Sequence, residues 1–250
     1  MSMRRGGKIK AARRSGPDVA TRQPSGVPLA GIFITFEGGE GSGKSTQIRR
    51  LADALTARGL DVVTTREPGG TPGADAIRHV VLSGAARHLG AQMEGVLFAA
   101  ARADHLDVVI RPALARGAVV LCDRFHDSTR VYQASDDPEE GAFLARLEWA
   151  TLNGVGPDLT IILDVPAEIG AERARLRRQD AEADRFEEED LSVQAQRRER
   201  FLAIARSEPE RCIVIDGQGD ADEIAEDVLA AVEDRLDLDR LARHRERQET

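Results

Sequence analysis

A three-layer α/β fold, with a five-stranded parallel sheet flanked by helices, is predicted by three observations. From Gly31 onward, short apolar runs alternate with stretches of helical period. The runs are nearly continuous in Val, Ile and Leu, as expected of strands whose two faces are both covered. Five such runs separated by long connections call for right-handed crossovers carrying helices. With 250 residues, 41% of them apolar, the chain can bury a sizeable core as one domain of this class.

The strands are expected over 32–36, 62–65, 118–122, 159–163 and 212–215. Helices are expected over 45–58, 74–83, 91–116, 139–153, 167–178, 191–207 and 220–236, with Pro112 kinking or splitting the third. In an open sheet of this kind ligands sit beyond the carboxyl ends of the strands. Residues 31–236 form the folded domain. A charged tail follows over 237–250, and an Arg-rich then acidic stretch at about 173–190 has the composition of a lid that brings guanidinium groups onto phosphates.

The formal charge of −8 argues against a general nucleic-acid binder. Residues 1–30 reverse the sign, carrying Arg4, Arg5, Lys8, Lys10, Arg13, Arg14 and Arg22 against Asp18 alone. Rich in Gly, Pro and Ser and without apolar period, they are expected to be a disordered basic extension. That extension is Arg-rich and acid-poor like a transit peptide, but it has no apolar region of a secretory signal. A tail without function, a misread start and a tether to nucleic acid or membrane stay open. Cys122 and Cys212 both sit in apolar runs, which predicts inert packed thiols and a reducing cytoplasm. No apolar run approaches the roughly 18 residues that span a bilayer. Neither a nucleic-acid nor a membrane partner is therefore expected of the folded domain.

Gly38, Gly39, Glu40, Gly41, Ser42, Gly43, Lys44 and Ser45 fit G-x-x-x-x-G-K-[ST] in full, and Thr46 continues into a predicted helix. The glycines at 38, 41 and 43 open backbone conformations that let successive N–H groups converge on anionic oxygens. The helix N-terminus adds its positive end. Lys44 reaches the β- and γ-phosphates of a nucleoside triphosphate, and the Ser45 hydroxyl can ligate Mg²⁺. The metal also needs a carboxylate at a neighbouring strand end. Asp123 suits that role best, and Asp164 is the competitor.

This pattern defines a P-loop NTPase fold but not a reaction. No Asn-Lys-x-Asp guanine-reading motif is present. Arg66, Glu67, Pro68, Gly69, Gly70 and Thr71 close the second strand beside the cradle. Past the third strand, the stretch 123–133 supplies cations, hydroxyls and an amide, among them Arg124, Ser128, Thr129, Tyr132 and Gln133. A second phosphate calls for an arginine fork, and Arg66 and Arg124 stand at the correct edge. The combination points to a small-molecule kinase.

The blocks 38–45, 66–71, 98–102, 123–133 and 157–165, in this order, resemble bacterial thymidylate kinase over about residues 31–236. The resemblance implies a nucleoside monophosphate kinase that uses Mg²⁺ with ATP to phosphorylate dTMP for dTTP synthesis, and that works as a homodimer. It implies that Phe98 stacks on the thymine ring and that Arg102, one turn on, meets the base edge. By the same resemblance, Arg124 and Arg66 are expected to hold the acceptor phosphate, Thr129 and Gln133 to contact the base and Ser128 to support the loop. The resemblance further implies that Tyr132 excludes a ribose 2′-hydroxyl, that Glu67 shapes the acceptor pocket and that the bond before Pro68 is cis. The P-loop has no arginine, Glu40 standing near the position where one branch of the family carries it. The catalytic arginines are therefore expected in the lid, at Arg173, Arg177 and Arg185, their order unsettled. Two departures are Val131, where alanine is common, and the stretch 134–138, where a glycine-rich segment is usual. A kinase for another nucleotide or a deoxynucleoside, and a non-catalytic ATP-binding module, are the rival readings.

Overall fold

The computed structural model describes residues 30–133, 135, 137–178, 186, 189–239 and 241, the side chains of 177 and 178 excepted. The basic extension over 1–30 (Ala30 excepted) and most of the tail over 237–250 lie outside the described residues. Five strands, β1 (Ile32–Glu37), β2 (Val62–Arg66), β3 (Val119–Asp123), β4 (Leu159–Asp164) and β5 (Cys212–Asp216), form a parallel sheet in the order β2-β3-β1-β4-β5.

Alternate side chains explain why the strands read as unbroken apolar runs. Ile32, Ile34 and Phe36 of β1 face Ile48, Leu51 and Leu55 of α1 (Lys44–Ala57) and Val228 and Val232 of α9 (Ala221–Arg235). On the other face Phe33, Val120 and Cys122 meet Leu106, Ile110 and Leu114, between α3 (Gly90–His105) and the end of α4 (Arg111–Ala115). A further cluster joins Ile162 to Val131 of α5 (His126–Tyr132) and Phe201 of α8 (Leu191–Ser207). Both faces are thus covered along β1, β3 and β4. Full burial of a side chain such as Phe33 contributes about 1.5–3 kcal/mol.

Each strand begins within a residue of the expected position and ends one residue beyond it. The added residues are Glu37, Arg66, Asp123, Asp164 and Asp216, all polar and all on the carboxyl edge. In register, Asp123 lies opposite both Phe36 of β1 and Arg66 of β2. The sheet therefore sets the start of the cradle, a cation and a carboxylate in one row.

The interruption expected at Pro112 is present, and two other helices, α5 and the one over Pro72–Leu82, differ from expectation. The stretch 91–116 is α3, a wide π turn over Leu106–Ile110, and then α4. Pro112 has no N–H for the preceding turn, so the loosened winding just before it is the local response. Helix α5 was expected as a loop, since seven residues are too few to display a 3.6 period. Helix α2 (Pro72–Leu82) starts two residues early because Thr71 Oγ1 accepts from Ala74 N at 3.0 Å and Pro72 occupies the first helical position. Helices α6 (Pro138–Leu152) and α7 (Ala167–Arg178) fall within a residue of expectation.

Behind α5, the fully buried Asp127 carboxylate accepts from Arg211 at 2.7 and 3.0 Å and from Arg130 at 3.3 Å. Arg130 also donates to Glu148 of α6 at 2.6 Å and to Glu208, after α8, at 2.6 Å. This network fixes α5 against the lower edge of β4 and β5. It keeps the helix that carries Ser128, Thr129 and Tyr132 in place.

Candidate active site

The cradle opens where β1 ends. Gly38, Gly41 and Gly43 have φ of 134°, 67° and 94°, a region that other residues rarely enter. At Gly41 space adds to conformation, because a Cβ there would lie 2.0 Å from the Gly170 carbonyl oxygen of α7. Helix α7 thus rests directly on the cradle. Lys44, nearly buried, donates from Nζ to Gly39 O at 2.9 Å, Gly38 O at 3.3 Å and Ser42 Oγ at 3.3 Å. Burial, and then the neighbouring Arg124, push its ammonium down to about 8. Ser45 donates from Oγ to Asp123 Oδ2 at 2.7 Å.

The opposite wall is built on an uncommon backbone. Arg124 has φ of 67°, which a side chain with a Cβ adopts only when its surroundings hold it there. Glu37 supplies that hold. One of its oxygens accepts from Phe125 N at 2.8 Å and Ser128 N at 3.2 Å, and the other accepts from Ser128 Oγ at 2.6 Å. Burial, and then Asp127, push the Glu37 carboxyl up to about 7. The turn aims Arg124 at the cradle, where Nη1 donates to Gly38 O at 3.0 Å and Nη2 to Glu40 Oε1 at 2.6 Å. Burial opposes the Arg124 charge, but Glu40, Tyr132, Asp123 and Glu37 together hold its pKa above the ordinary value.

Beyond Arg124 lies a pocket closed by Arg102, which is buried on α3. Its Nε donates to Glu67 Oε2 at 2.8 Å, and its Nη2 donates to Thr129 Oγ1 at 2.9 Å and Phe125 O at 3.2 Å. Tyr132 donates its hydroxyl to Glu40 Oε1 at 2.9 Å. Its ring meets the Arg197 guanidinium at 4.1 Å and the Phe186 ring edge-on at 5.2 Å. Burial is the largest influence on the Tyr132 hydroxyl and pushes its pKa well up.

One cavity of about 470 Å³ unites the two ends. Its walls include the cradle from Glu40 to Thr46, then Arg66, Glu67, Pro68, Phe98, Arg102, Asp123, Arg124, Ser128, Thr129, Tyr132 and Gln133. Gly38 and Gly39 stand just outside the lining, as acceptors for Lys44 and, at Gly38, also for Arg124. Arg66 reaches Asp75 Oδ1 at 3.4 Å, and the bond before Pro68 is cis.

Of the three arginines expected in a lid, only the side chain of Arg173 is among the described residues. Arg173 donates to Gly217 O at 2.7 Å and Gln218 O at 3.2 Å, so it ties α7 to the loop after β5 and does not line the cavity. The Arg177 side chain and Arg185 lie outside the described residues. Asp164 is engaged bidentately by Arg198 of α8, at 2.6 and 2.8 Å, whereas Asp123 is the carboxylate that meets the Ser45 hydroxyl.

Residues that sequence reasoning passed over also shape the site. Glu37 falls just past the strand expected over 32–36 and carries no expected role, although an acid closing an apolar strand is itself a signal. Arg78 of α2 lines the cavity and donates to Pro68 O at 2.9 Å. In the sequence it reads as an ordinary arginine on a solvated helix. His105 and Arg197 gave no signal beyond their helical spacing.

Fold and site together define a P-loop phosphotransferase: a nucleotide cradle faces a second anion pocket with cations between them. Comparison with known proteins narrows the class, because the thymidylate kinase family profile matches residues 36–228. Among curated relatives, the thymidylate kinase of Nitrobacter winogradskyi is 53% identical over 217 residues, covering 87% of this chain and 94% of that protein. The thymidylate kinase of Rhodopseudomonas palustris is 52% identical over 219 residues, covering 87% and 95%. The chain belongs to the thymidylate kinase family.

Proposed function

We propose that the protein transfers the γ-phosphoryl group of ATP to dTMP, giving dTDP and ADP, as a step toward dTTP. The observation that carries this reading is the single cavity with a triphosphate cradle at one end and Arg102 and Phe98 at the other, Arg124 standing between them. Two anions that repel each other must be brought together, and fixed cations do so without reorganising during the reaction.

In this reading Lys44 and the cradle amides hold the ATP phosphates, and Arg124 and Arg66 take the acceptor phosphate. The acceptor oxygen is already anionic near neutral pH, so no side-chain nucleophile is needed. Phe98 offers a face to the thymine ring, and Arg102, Thr129 and Gln133 meet its polar edge. Tyr132 fills the space of a ribose 2′-hydroxyl. Arg177 and Arg185, and Arg173 on release from Gly217 O and Gln218 O, belong to a lid that brings positive charge to the transferring group when it closes. The site fits a hard cation held mainly by substrate: Ser45 Oγ and Asp123 Oδ2 converge at 2.7 Å, and the described residues hold no cluster of three or more acidic, His or Cys ligands. We therefore assign Ser45 and Asp123 to Mg²⁺. Bound with ATP, the ion would neutralise charge on the phosphate oxygens.

The domain boundaries at 31–236, the homodimer and the cytoplasm are part of the same proposal. Helices α3 and α6, which pack on each other, leave Met93, Phe143 and Trp149 exposed, which supports a second copy packing there. The two free, buried cysteines suit a reducing compartment. Among the described residues no helix is long and apolar enough to cross a membrane.

The test is ADP release from ATP with dTMP, dUMP, dCMP, dGMP and AMP offered in turn. The proposal expects the highest kcat/KM with dTMP. A preference for another acceptor would favour the nearest rival, and ATP binding without turnover would favour a non-catalytic module.

A further inference from the structure

His105 has no part in the reaction as described, yet it is fully buried at the back of the acceptor pocket. Both of its ring nitrogens are engaged. Nδ1 lies 3.1 Å from Glu67 Oε1, and Nε2 lies 2.6 Å from Thr65 Oγ1. A carboxylate accepts only, so Nδ1 carries a proton toward Glu67, and Nε2 pairs with the Thr65 hydroxyl. The other Glu67 oxygen takes Arg102 Nε at 2.8 Å. Thr65, His105, Glu67 and Arg102 therefore form one chain of hydrogen bonds from β2 to the pocket. Its surroundings allow little slack: a Cβ at Gly70 would stand 2.7 Å from both His105 Nε2 and Thr65 Oγ1.

The chain ends on a group whose orientation matters. Arg102 spends Nε on Glu67 and Nη2 on Thr129 and Phe125 O, so Nη1 is the amino group left to meet a ligand in the cavity. A carboxylate that could rotate would carry the guanidinium with it. Glu67 Oε1, tied to the imidazole, prevents that rotation.

We propose that His105 is a positioning residue for base recognition, acting through Glu67 to hold the Arg102 guanidinium where it meets the base edge. This rests on the reading in which Arg102 contacts the base. The consequence is selectivity: a guanidinium donor suits the O4 acceptor of thymine and opposes the N4 amino donor of cytosine. Loosening the relay should weaken dTMP binding and narrow the preference for dTMP over dCMP, while phosphoryl transfer from bound substrate changes little.

The two amide replacements separate the ends of the ring. Asn places its N–H₂ near Nδ1 and keeps the bond to Glu67, whereas Gln reaches toward Nε2 and keeps only the contact with Thr65. His105→Gln is expected to raise KM for dTMP about tenfold and to narrow the dTMP:dCMP ratio of kcat/KM similarly, with kcat within about twofold. His105→Asn is expected to restore most of both. Thr65→Val, which releases Nε2 from the far end, should fall between them and serves if His105→Gln does not fold. Equal behaviour of His105→Asn and His105→Gln, or an unchanged base ratio in His105→Gln and Thr65→Val, would overturn the proposal. Arg102→Met is run alongside. If it leaves the dTMP:dCMP ratio unchanged, the base-reading role of Arg102 fails and the inference falls with it. If Arg102→Met collapses the ratio and the His105 variants do not, the inference alone fails.

Discussion

Glu40 Oε1 takes two donors at once, the Tyr132 hydroxyl at 2.9 Å and Arg124 Nη2 at 2.6 Å. The P-loop is thereby latched to both Tyr132 and Arg124 of the opposite wall. The Tyr132 ring is also held from its sides by Arg197 and Phe186. Its position therefore does not depend on the hydroxyl alone.

Tyr132→Phe should accordingly keep most of the discrimination against ribo-TMP, since the ring and its neighbours remain. Tyr132→Ala opens the space and should narrow the kcat/KM ratio of dTMP over ribo-TMP. A methylene-scale change in a pocket alters selectivity by about 10–200-fold, so an effect of at least about tenfold is expected for a whole ring. The ratio is measured on variants whose melting curves confirm folding. An unchanged ratio in Tyr132→Ala would remove the residue from sugar selection.

Glu37 is predicted to govern the Arg124 turn. Glu37→Ala leaves two buried N–H groups without their acceptor, at about 1–3 kcal/mol each, and lets Arg124 leave its left-handed conformation. A large loss of both Tm and kcat/KM is expected. Glu37→Gln retains an oxygen for the amides and turns its N–H₂ toward Ser128 Oγ, reversing the direction of that bond, so it should fold and work nearly as well. The two should also differ in pH dependence. A carboxyl raised from 4.5 to about 7 contributes stability while it keeps its proton, and that contribution is lost as pH rises through this window. Subtracting the Glu37→Gln stability profile from that of the parent should expose this falling slope between pH 4.5 and 7. A flat difference would refute the shift.

Lys44 predicts a proton linkage. Without nucleotide its ammonium titrates at about 8, and triphosphate beside it must raise that value. ATP binding near pH 8.5 should therefore take up a proton, seen calorimetrically as a buffer-dependent binding enthalpy. Lys44→Arg, whose guanidinium stays charged, should bind without uptake.

Asp127 tests the support behind the site. Arg211→Met strips its bidentate partner and leaves a buried carboxylate short of charge, at a cost of about 3–5 kcal/mol. Combining it with Asp127→Asn should recover part of that loss, because the stranded charge is gone. Thermal melts of the two single variants and the double variant decide the matter.

Much of this was legible in the sequence for physical reasons. Strands buried on both faces need unbroken apolar runs, and 32–36 and 118–122 could hardly read otherwise. The P-loop spacing is likewise tied to one geometry, borne out by the φ of Gly38, Gly41 and Gly43. Helix α5 was hidden because seven residues cannot show a period. Glu37 and His105 were hidden because their importance lies in partners 88 and 91 or 38 and 40 residues away, a pairing that only the folded sheet creates. Arg173 shows the limit of composition, which marked an Arg-rich lid but could not tell which arginine faces the loop after β5.

The central claim is coupled transfer between the two ends of one cavity. Its most direct test is the stoichiometry of products from purified protein, ATP, Mg²⁺ and dTMP, with ADP and dTDP quantified by chromatography over the same time course. The account predicts one dTDP for each ADP, both depending on dTMP, and both abolished together in Lys44→Met and Asp123→Ala. ADP formed without dTDP, or dTDP formation that survives Lys44→Met unchanged, would contradict it.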